Sequence, residues 1–310
     1  MAVSRPEIKA GVADLDLSDH TVLVTGSTRG VGKQTALAMG RLGATVFVHG
    51  RDRKAGRDVV SKLDQIGASD SEFFAADFSD LHAVRTMAAD IANRTNSLDV
   101  LINNAGGYFP NAGTTSDGFS YTFCVNHLAP FALTAELWSL VNAADGRIVV
   151  TSSAAHRGAS LDLDAITSPD GRLGFQVYAQ SKLANILFAN ELNRRSVNTG
   201  SSVRANSIHP GAIPGSGFGR HAPFPFSLIP KLVQALPDRV EDRIADTPAD
   251  GAATVMYAAV SPETSGIGGA YFSDCQRQSP ASAATNEQTA VALWERSEEL
   301  LDQTFSIPEV

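Results

Sequence analysis

The segment VYAQSKLANILF, residues 177–188, places Tyr178 four positions ahead of Lys182. Residues i and i+4 of a helix lie one above the other, so a phenol and an ammonium can converge on one spot. An ammonium stabilises phenolate and brings a tyrosine, ordinarily near pKa ~10, towards working pH, which makes an acid/base catalyst. The same spacing suits an amphipathic helix that buries Leu183, Ile186 and Leu187 and carries Tyr and Lys at its rim. Ser153 closes the run GRIVVTSS and can donate to or accept from a carbonyl or alcohol oxygen. Its neighbour Ser152 is a rival for that role, and either serine could serve only as a cap. Asn126 stands in the apolar stretch VNHLAPFALT, where it needs a partner; a structural kink is the alternative account. His156 and His209 read as satisfied core or loop histidines. A serine hydrolase would carry GxSxG, which is absent.

A second cluster is the turn TGSTRGVG, with Gly26, Gly30 and Gly32 between an apolar run and a helical pattern. Residues without Cβ allow tight turning and close approach to phosphate, and the following helix offers free N–H groups to an anion. A structural turn is the competing account. If the turn binds a dinucleotide, the end of the next strand selects it, an acid for a ribose 2′-OH and an arginine for a 2′-phosphate. Here the chain reads HGRDR, so Arg51, with Arg29 in the turn, favours NADP(H), and Asp52 is the rival signal one residue late. Asp77, after the third apolar run, suits either an adenine edge or, like Ser79, the cap of the next helix.

The elements that must position these groups alternate. Strand-like runs occur at 21–25, 44–50, 71–77, 98–106, 146–153, 202–211 and 268–273, with helical patterns between most of them. A long helical stretch over about 115–143 is expected to bend near Pro130, and residues 176–198 form the Tyr178 helix. This order predicts right-handed βαβ units and an α/β fold, a doubly wound, Rossmann-like parallel sheet of about seven strands with helices on both faces. Residues 1–18 read as a polar N-terminal extension and 19–310 as a single domain. Within it, the Gly- and Pro-rich but apolar segment 211–246 suits a substrate lid or a loop packed on the core.

The 310 residues are 43% hydrophobic and 19% charged, which is a globular composition with material for a large core. The net charge is −8 and no basic stripe appears, so nucleic acid is not an expected partner. Cys124 and Cys275 belong to no metal-ligand cluster and read as thiols in a reducing compartment. No signal peptide or transmembrane run is seen, so a cytoplasmic location is expected.

Together the motifs resemble the short-chain dehydrogenase/reductase family over about residues 19–303: TGSTRGVG, NNAG (103–106), Asn126, Ser153, YAQSK (178–182) and HPG (209–211). NHLAPFALT, SKLANILFANEL, SIHPG and GGAYFSDC resemble its retinol-dehydrogenase-like branch. The resemblance implies that Tyr178 is the acid/base and that Lys182 binds the nicotinamide ribose and lowers the tyrosine pKa. It implies that Ser153 holds the substrate oxygen and that Asn126 helps position a proton-relay water. It also implies cofactor contacts from Gly26, Thr28, Arg29, Gly30, Val31, Gly32, Arg51, Asp77, Asn103, Ala105, Gly106, Tyr178, Lys182, Pro210, Gly211 and Ile213.

The expected activity is NADP(H)-dependent interconversion of an alcohol with an aldehyde or ketone. The substrate is expected to be lipophilic, in a pocket built from Tyr108, Phe109, the 154–176 insert and the lid. A C=C reductase on the same scaffold and a non-catalytic NADP(H) sensor are the alternatives. No membrane anchor is expected, and family habit implies a dimer or tetramer. Two departures stand out. Tyr178 follows Ser153 by 25 residues, a long insert shared with the retinol-dehydrogenase branch. After HPG, Gly215 and Ser216 stand where many members carry a threonine that touches the nicotinamide amide.

Overall fold

The apolar runs become strands: β1 Thr21–Val24, β2 Thr45–Gly50, β3 Glu72–Ala75, β4 Val100–Asn103, β5 Arg147–Thr151, β6 Arg204–His209 and β7 Tyr271–Ser273. The computed structural model describes residues 5–68, 70–164, 174–211, 213 and 246–309. The strands lie in the order β3-β2-β1-β4-β5-β6-β7-β8, all parallel except β8 (Gln276–Gln278), which runs antiparallel to β7. Val22, Leu23 and Val24 are fully buried, as expected for a parallel sheet covered on both faces.

One face is covered by α1 (Pro6–Lys9), α2 (Gly30–Arg41), α3 (Arg53–Gln65) and, further along the chain, Pro248–Val260. The other carries α4 (Leu81–Arg94), α5 (Ala129–Ala143), α6 (Gly174–Asn198) and the C-terminal Glu287–Leu301. In chain order the last two helices are α7 (Pro248–Val260) and α8 (Glu287–Leu301). Leu183, Ile186 and Leu187 of α6 are core residues, as their spacing predicts. The residues before β1 also contribute: Glu7 is fully buried, receives Arg41 Nε at 2.7 Å, and is held at a pKa of about 2 by the Arg41 and Arg5 guanidiniums against its burial.

Two expectations need correction. The sheet has an eighth strand. β8 is a Gln-Arg-Gln edge with no apolar residue, and it joins β7 through Asp274 and Cys275, both with positive φ (50° and 54°). That two-residue hairpin lacks the Asn-Gly or Gly signature by which such turns are found. The irregularity in the 115–143 stretch precedes Pro130. The chain turns helical at Tyr121–Phe123, widens into a π-helical turn over Cys124–Leu128, and continues as α5. Pro130 follows that turn directly inside a continuous helical run, where its missing N–H cannot bond the preceding turn, and a π-helical widening there accommodates the loss.

The chain steps outward from β1 to β2 and β3, then returns to place β4 on the other side of β1. That reversal opens a crevice at the C-terminal strand ends, between the loops after β1 and β4, where doubly wound sheets bind ligands.

Candidate active site

The glycine turn closes β1 and leads into α2. Gly26 has φ +65°, and a Cβ there would come within 2.8 Å of Ala105 Cα, so the loops after β1 and β4 are in backbone contact. Thr25 Oγ1 fixes the pair by accepting from the amides of Asn104 and Ala105, both at 2.9 Å, and donating to Ile102 O. Asn104 Nδ2 donates to Thr25 O at 2.8 Å. Asn103 instead turns its amide to Thr134 Oγ1 on α5, at 2.9 Å. His49 holds the turn from the β2 side, where Nδ1 accepts from Gly26 N at 3.1 Å. Neither Asn104 nor His49 was singled out in the sequence. Asn104 could have been found as the second asparagine of NNAG, whereas His49 has no local signal, because its partner lies 23 residues away.

The described groups fit a dinucleotide. Arg29 precedes α2 without capping it by its side chain, which leaves the amides of Gly30, Val31 and Gly32 as donors at the positive end of the helix. Thr28 packs where a Cβ on Gly50 would stand, which brings the turn beside the end of β2. Just beyond, Arg51 Nη1 donates to Tyr121 Oη at 2.9 Å and to Asp77 Oδ2 at 3.3 Å. Asp52 is occupied as the cap of α3, accepting from the amides of Lys54 (2.9 Å) and Ala55 (3.0 Å). Burial opposes the Asp77 carboxylate, yet the Ser79 amide and hydroxyl and the Arg51 guanidinium hold it below the usual range. Neither Asp77 nor Ser79 caps α4. Asp80 does, because its carboxylate is the one within reach of Ala83 N.

Across the crevice, Tyr178 lies in the first turns of α6 and is 7% exposed. Its hydroxyl shares a hydrogen bond with Ser153 just beyond β5. Lys182 Nζ lies 5.9 Å from the centre of the Tyr178 ring and donates to Thr151 O at 3.0 Å; Asn185 Nδ2 donates to the same oxygen at 2.9 Å. Ser152 is removed as a rival, since its hydroxyl donates to Lys182 O at 2.7 Å on the buried side. The pKa values differ from the expectation of a tuned tyrosine. Burial raises Tyr178 above 10.0 against the Ser153 hydrogen bond, and burial pushes Lys182 down to about 8. The largest cause in both is desolvation by burial, which disfavours phenolate and ammonium alike.

Asn126 has its whole amide engaged, accepting from Gly107 N at 2.8 Å and donating to Gly107 O at 3.0 Å and Ser181 Oγ at 2.9 Å. The π turn aims it there, and Gly106 sits against its Oδ1. Its side chain therefore stitches the loop after β4 to α6. His156 makes a similar link, with Nδ1 2.6 Å from Ser153 O and Nε2 accepting from Ala281 N at 3.1 Å. Two amide-side contacts fix its neutral tautomer, with the proton on Nδ1, and burial lowers its pKa.

Aromatic rings border Tyr178. Tyr108 is 5.8 Å from it and Phe175 6.4 Å, centre to centre, and Phe109 and Tyr121 pack edge-to-face at 5.1 Å. On the far rim, Pro210 and Ile213 follow β6 and pack on Gly251 of α7, while Gly211 abuts Asp246. Gly215, Ser216, most of the expected 211–246 lid and the middle of the 154–176 insert lie outside the described residues. Among the described residues no cluster of metal-ligating side chains occurs, and no helix is long and apolar enough to cross a membrane.

Comparison with known proteins agrees with this geometry. The sequence profile of the short chain dehydrogenase family matches residues 20–220. Retinol dehydrogenase 14 of Homo sapiens is 36% identical over 293 residues, covering 90% of this chain and 85% of its own. Polyprenol dehydrogenase of Homo sapiens is 33% identical over 288 residues, covering 91% and 85%. A crystal structure of an uncharacterized protein from Mycobacterium Paratuberculosis superposes with a TM-score of 0.75 at 31% identity, covering 95% of this chain and 98% of that one. With the glycine turn, the Ser153–Tyr178–Lys182 set and these relatives in agreement, the chain belongs to the short-chain dehydrogenase/reductase family, in its retinol-dehydrogenase-like branch.

Proposed function

We propose that the protein is an NADP(H)-dependent oxidoreductase that interconverts a lipophilic alcohol with its aldehyde or ketone. The observation that carries this reading is the meeting of Ser153 and Tyr178 by hydrogen bond at the end of β5, with Lys182 one helical turn below. The cofactor supplies hydride transfer, and the chain supplies orientation and proton movement. Ser153 holds the substrate oxygen. Tyr178 donates its phenolic proton to that oxygen during reduction and removes it during oxidation. Lys182, charged below about 8, is the cation available to stabilise the phenolate. The buried set favours this because electrostatic stabilisation strengthens where water is excluded.

Selection of NADP(H) rests on Arg51, held by Tyr121 and Asp77 beside the glycine turn, with Asp52 tied up as a helix cap. Two observations support a lipophilic substrate: the rings of Tyr108 and Phe175 packed against Tyr178, and the isoprenoid alcohols in the names of two relatives. The experiment is NADPH oxidation with a panel of isoprenoid and long-chain aldehydes and ketones, run beside NADH. Tyr178→Phe should lower kcat by about 10²–10⁴-fold with NADPH binding unchanged. Full reductase activity in that variant would refute the acid/base role.

A further inference from the structure

His49 is the penultimate residue of β2, and its ring is 3% exposed beneath the glycine turn. Nδ1 faces the Gly26 amide at 3.1 Å and Nε2 faces Ala76 O at 3.2 Å. An amide nitrogen can only donate and a carbonyl can only accept. The two contacts are satisfied together by one species, the neutral imidazole with its proton on Nε2. The backbone of the same residue is tied to the same turn, with His49 N donating to Ser27 Oγ at 3.0 Å and Ser27 N donating to His49 O at 2.9 Å. The ring stacks on Phe78 at 4.3 Å, so it cannot swing away without opening the core. One side chain thus joins three strand ends: the turn after β1, the end of β2, and the segment after β3 that carries Asp77.

We propose that His49 is a positioning residue for the dinucleotide, holding Gly26 and the start of the glycine turn in the shape that receives the phosphates. The inference rests on the cofactor reading above. Protonation would set an N–H against the Gly26 N–H, removing one hydrogen bond and adding a repulsion, so the charged form is incompatible with the turn as built. The charged group that faces the ring is Asp77, itself bound to Arg51 and Ser79, while Phe78 and Ala76 present only apolar surface and a carbonyl. Burial outweighs the help of Ala76 O and Asp77 and lowers the His49 pKa to about 4. The turn is therefore locked at neutral pH and released by acid.

The test uses the full chain and three readouts. Carbon and nitrogen chemical shifts of His49 should report the neutral Nε2–H tautomer at pH 7, and the Gly26 amide should be protected from hydrogen exchange. His49→Phe keeps the ring volume and the stack but offers no acceptor. It should exchange Gly26 faster and bind NADP⁺ about tenfold more weakly, the cost of leaving one partly buried donor unpaired. His49→Asn restores an acceptor near the Nδ1 position and should recover most of that loss. Between pH 6 and 3.5, which spans the His49 pKa of about 4, the affinity of wild type should fall more steeply than that of His49→Asn; the ionisation of the NADP⁺ phosphate is common to both and cancels. Circular dichroism at each pH confirms that the chains are folded. An Nδ1–H or charged ring at pH 7, or His49→Phe binding NADP⁺ as tightly as wild type, overturns the inference. If wild type binds neither NADP⁺ nor NAD⁺, it is the dehydrogenase reading that fails, and the tautomer and Gly26 exchange still decide whether the lock exists.

Discussion

On the glycine-turn side of the crevice, the side chains that hold the turn are hydrogen-bonded in sets. Thr25 Oγ1 closes two amides and a carbonyl, His49 closes an amide and a carbonyl, and Asp77 holds Arg51 while accepting from Ser79. On the Ser153 side the polar groups are buried at a cost. Among the described residues Lys182 donates to the Thr151 carbonyl and meets no carboxylate, and Tyr178 carries a pKa raised by burial. The first side is a finished scaffold for a ligand of fixed charge. The second holds groups whose ionisation is strained until a partner charge arrives. A dehydrogenase needs both, because binding is served by rigidity and proton transfer by groups that are not content where they are.

Four experiments bear on that contrast, beyond the Tyr178→Phe variant described above. The strongest is Lys182→Met. It should abolish most turnover yet raise stability by about 1–3 kcal/mol, because a buried ammonium held below its ordinary pKa is replaced by a thioether of similar length. Urea denaturation measures it; a loss of stability would show that Lys182 is as satisfied as its counterparts across the crevice.

Acid comes next. His49 and His127 are buried with pKa values lowered from 6.5 to about 4, so the unfolded chain takes up their protons first. Their contribution is complete above pH 6.5 and is lost as pH falls from there to about 4, at up to about 2–3 kcal/mol each. Urea midpoints across that window should drop, and less so in His49→Asn.

Arg51→Ala should weaken NADPH binding by about 10–100-fold and leave NADH nearly unaffected, since a charge-assisted phosphate contact is lost. Equal loss for both would remove the case for a 2′-phosphate site. The smallest effect is expected from Asp52→Ala. Loss of the α3 cap should cost about 1 kcal/mol of stability, with cofactor preference unchanged. A shift towards or away from NADH would restore Asp52 as a ribose ligand.

Much of the fold was legible because buried parallel strands are written as unbroken apolar runs, and each of the seven is found where its run lies. β8 was not legible. An edge strand of Gln-Arg-Gln joined by Asp-Cys has no pattern, and only pairing with β7 makes it a strand. The site was legible where a role depends on local spacing. Tyr178 and Lys182 share a helix face because four residues separate them, and Arg51 follows its strand directly. It was not legible where a role depends on partners distant in sequence. Asn126 suited a kink or, by the family resemblance, a part in proton relay, and only the loop after β4 and Ser181 of α6 show where its amide goes. The lid expectation lies mostly outside the described residues.

The sequence by itself determined the order of strands and helices, the glycine turn and the identity of the groups that can move a proton, because these follow from side-chain chemistry and from the periods of helix and strand. Tertiary structure alone decided what each group is worth. Ser152 and Ser153 are alike until the fold spends one on a carbonyl and gives the other to Tyr178. Lys182 is an ordinary ammonium until the core strips its water away, and His49 is an unremarked strand residue until Gly26 is brought against it. Desolvation and long-range hydrogen bonds depend on neighbours that only folding supplies.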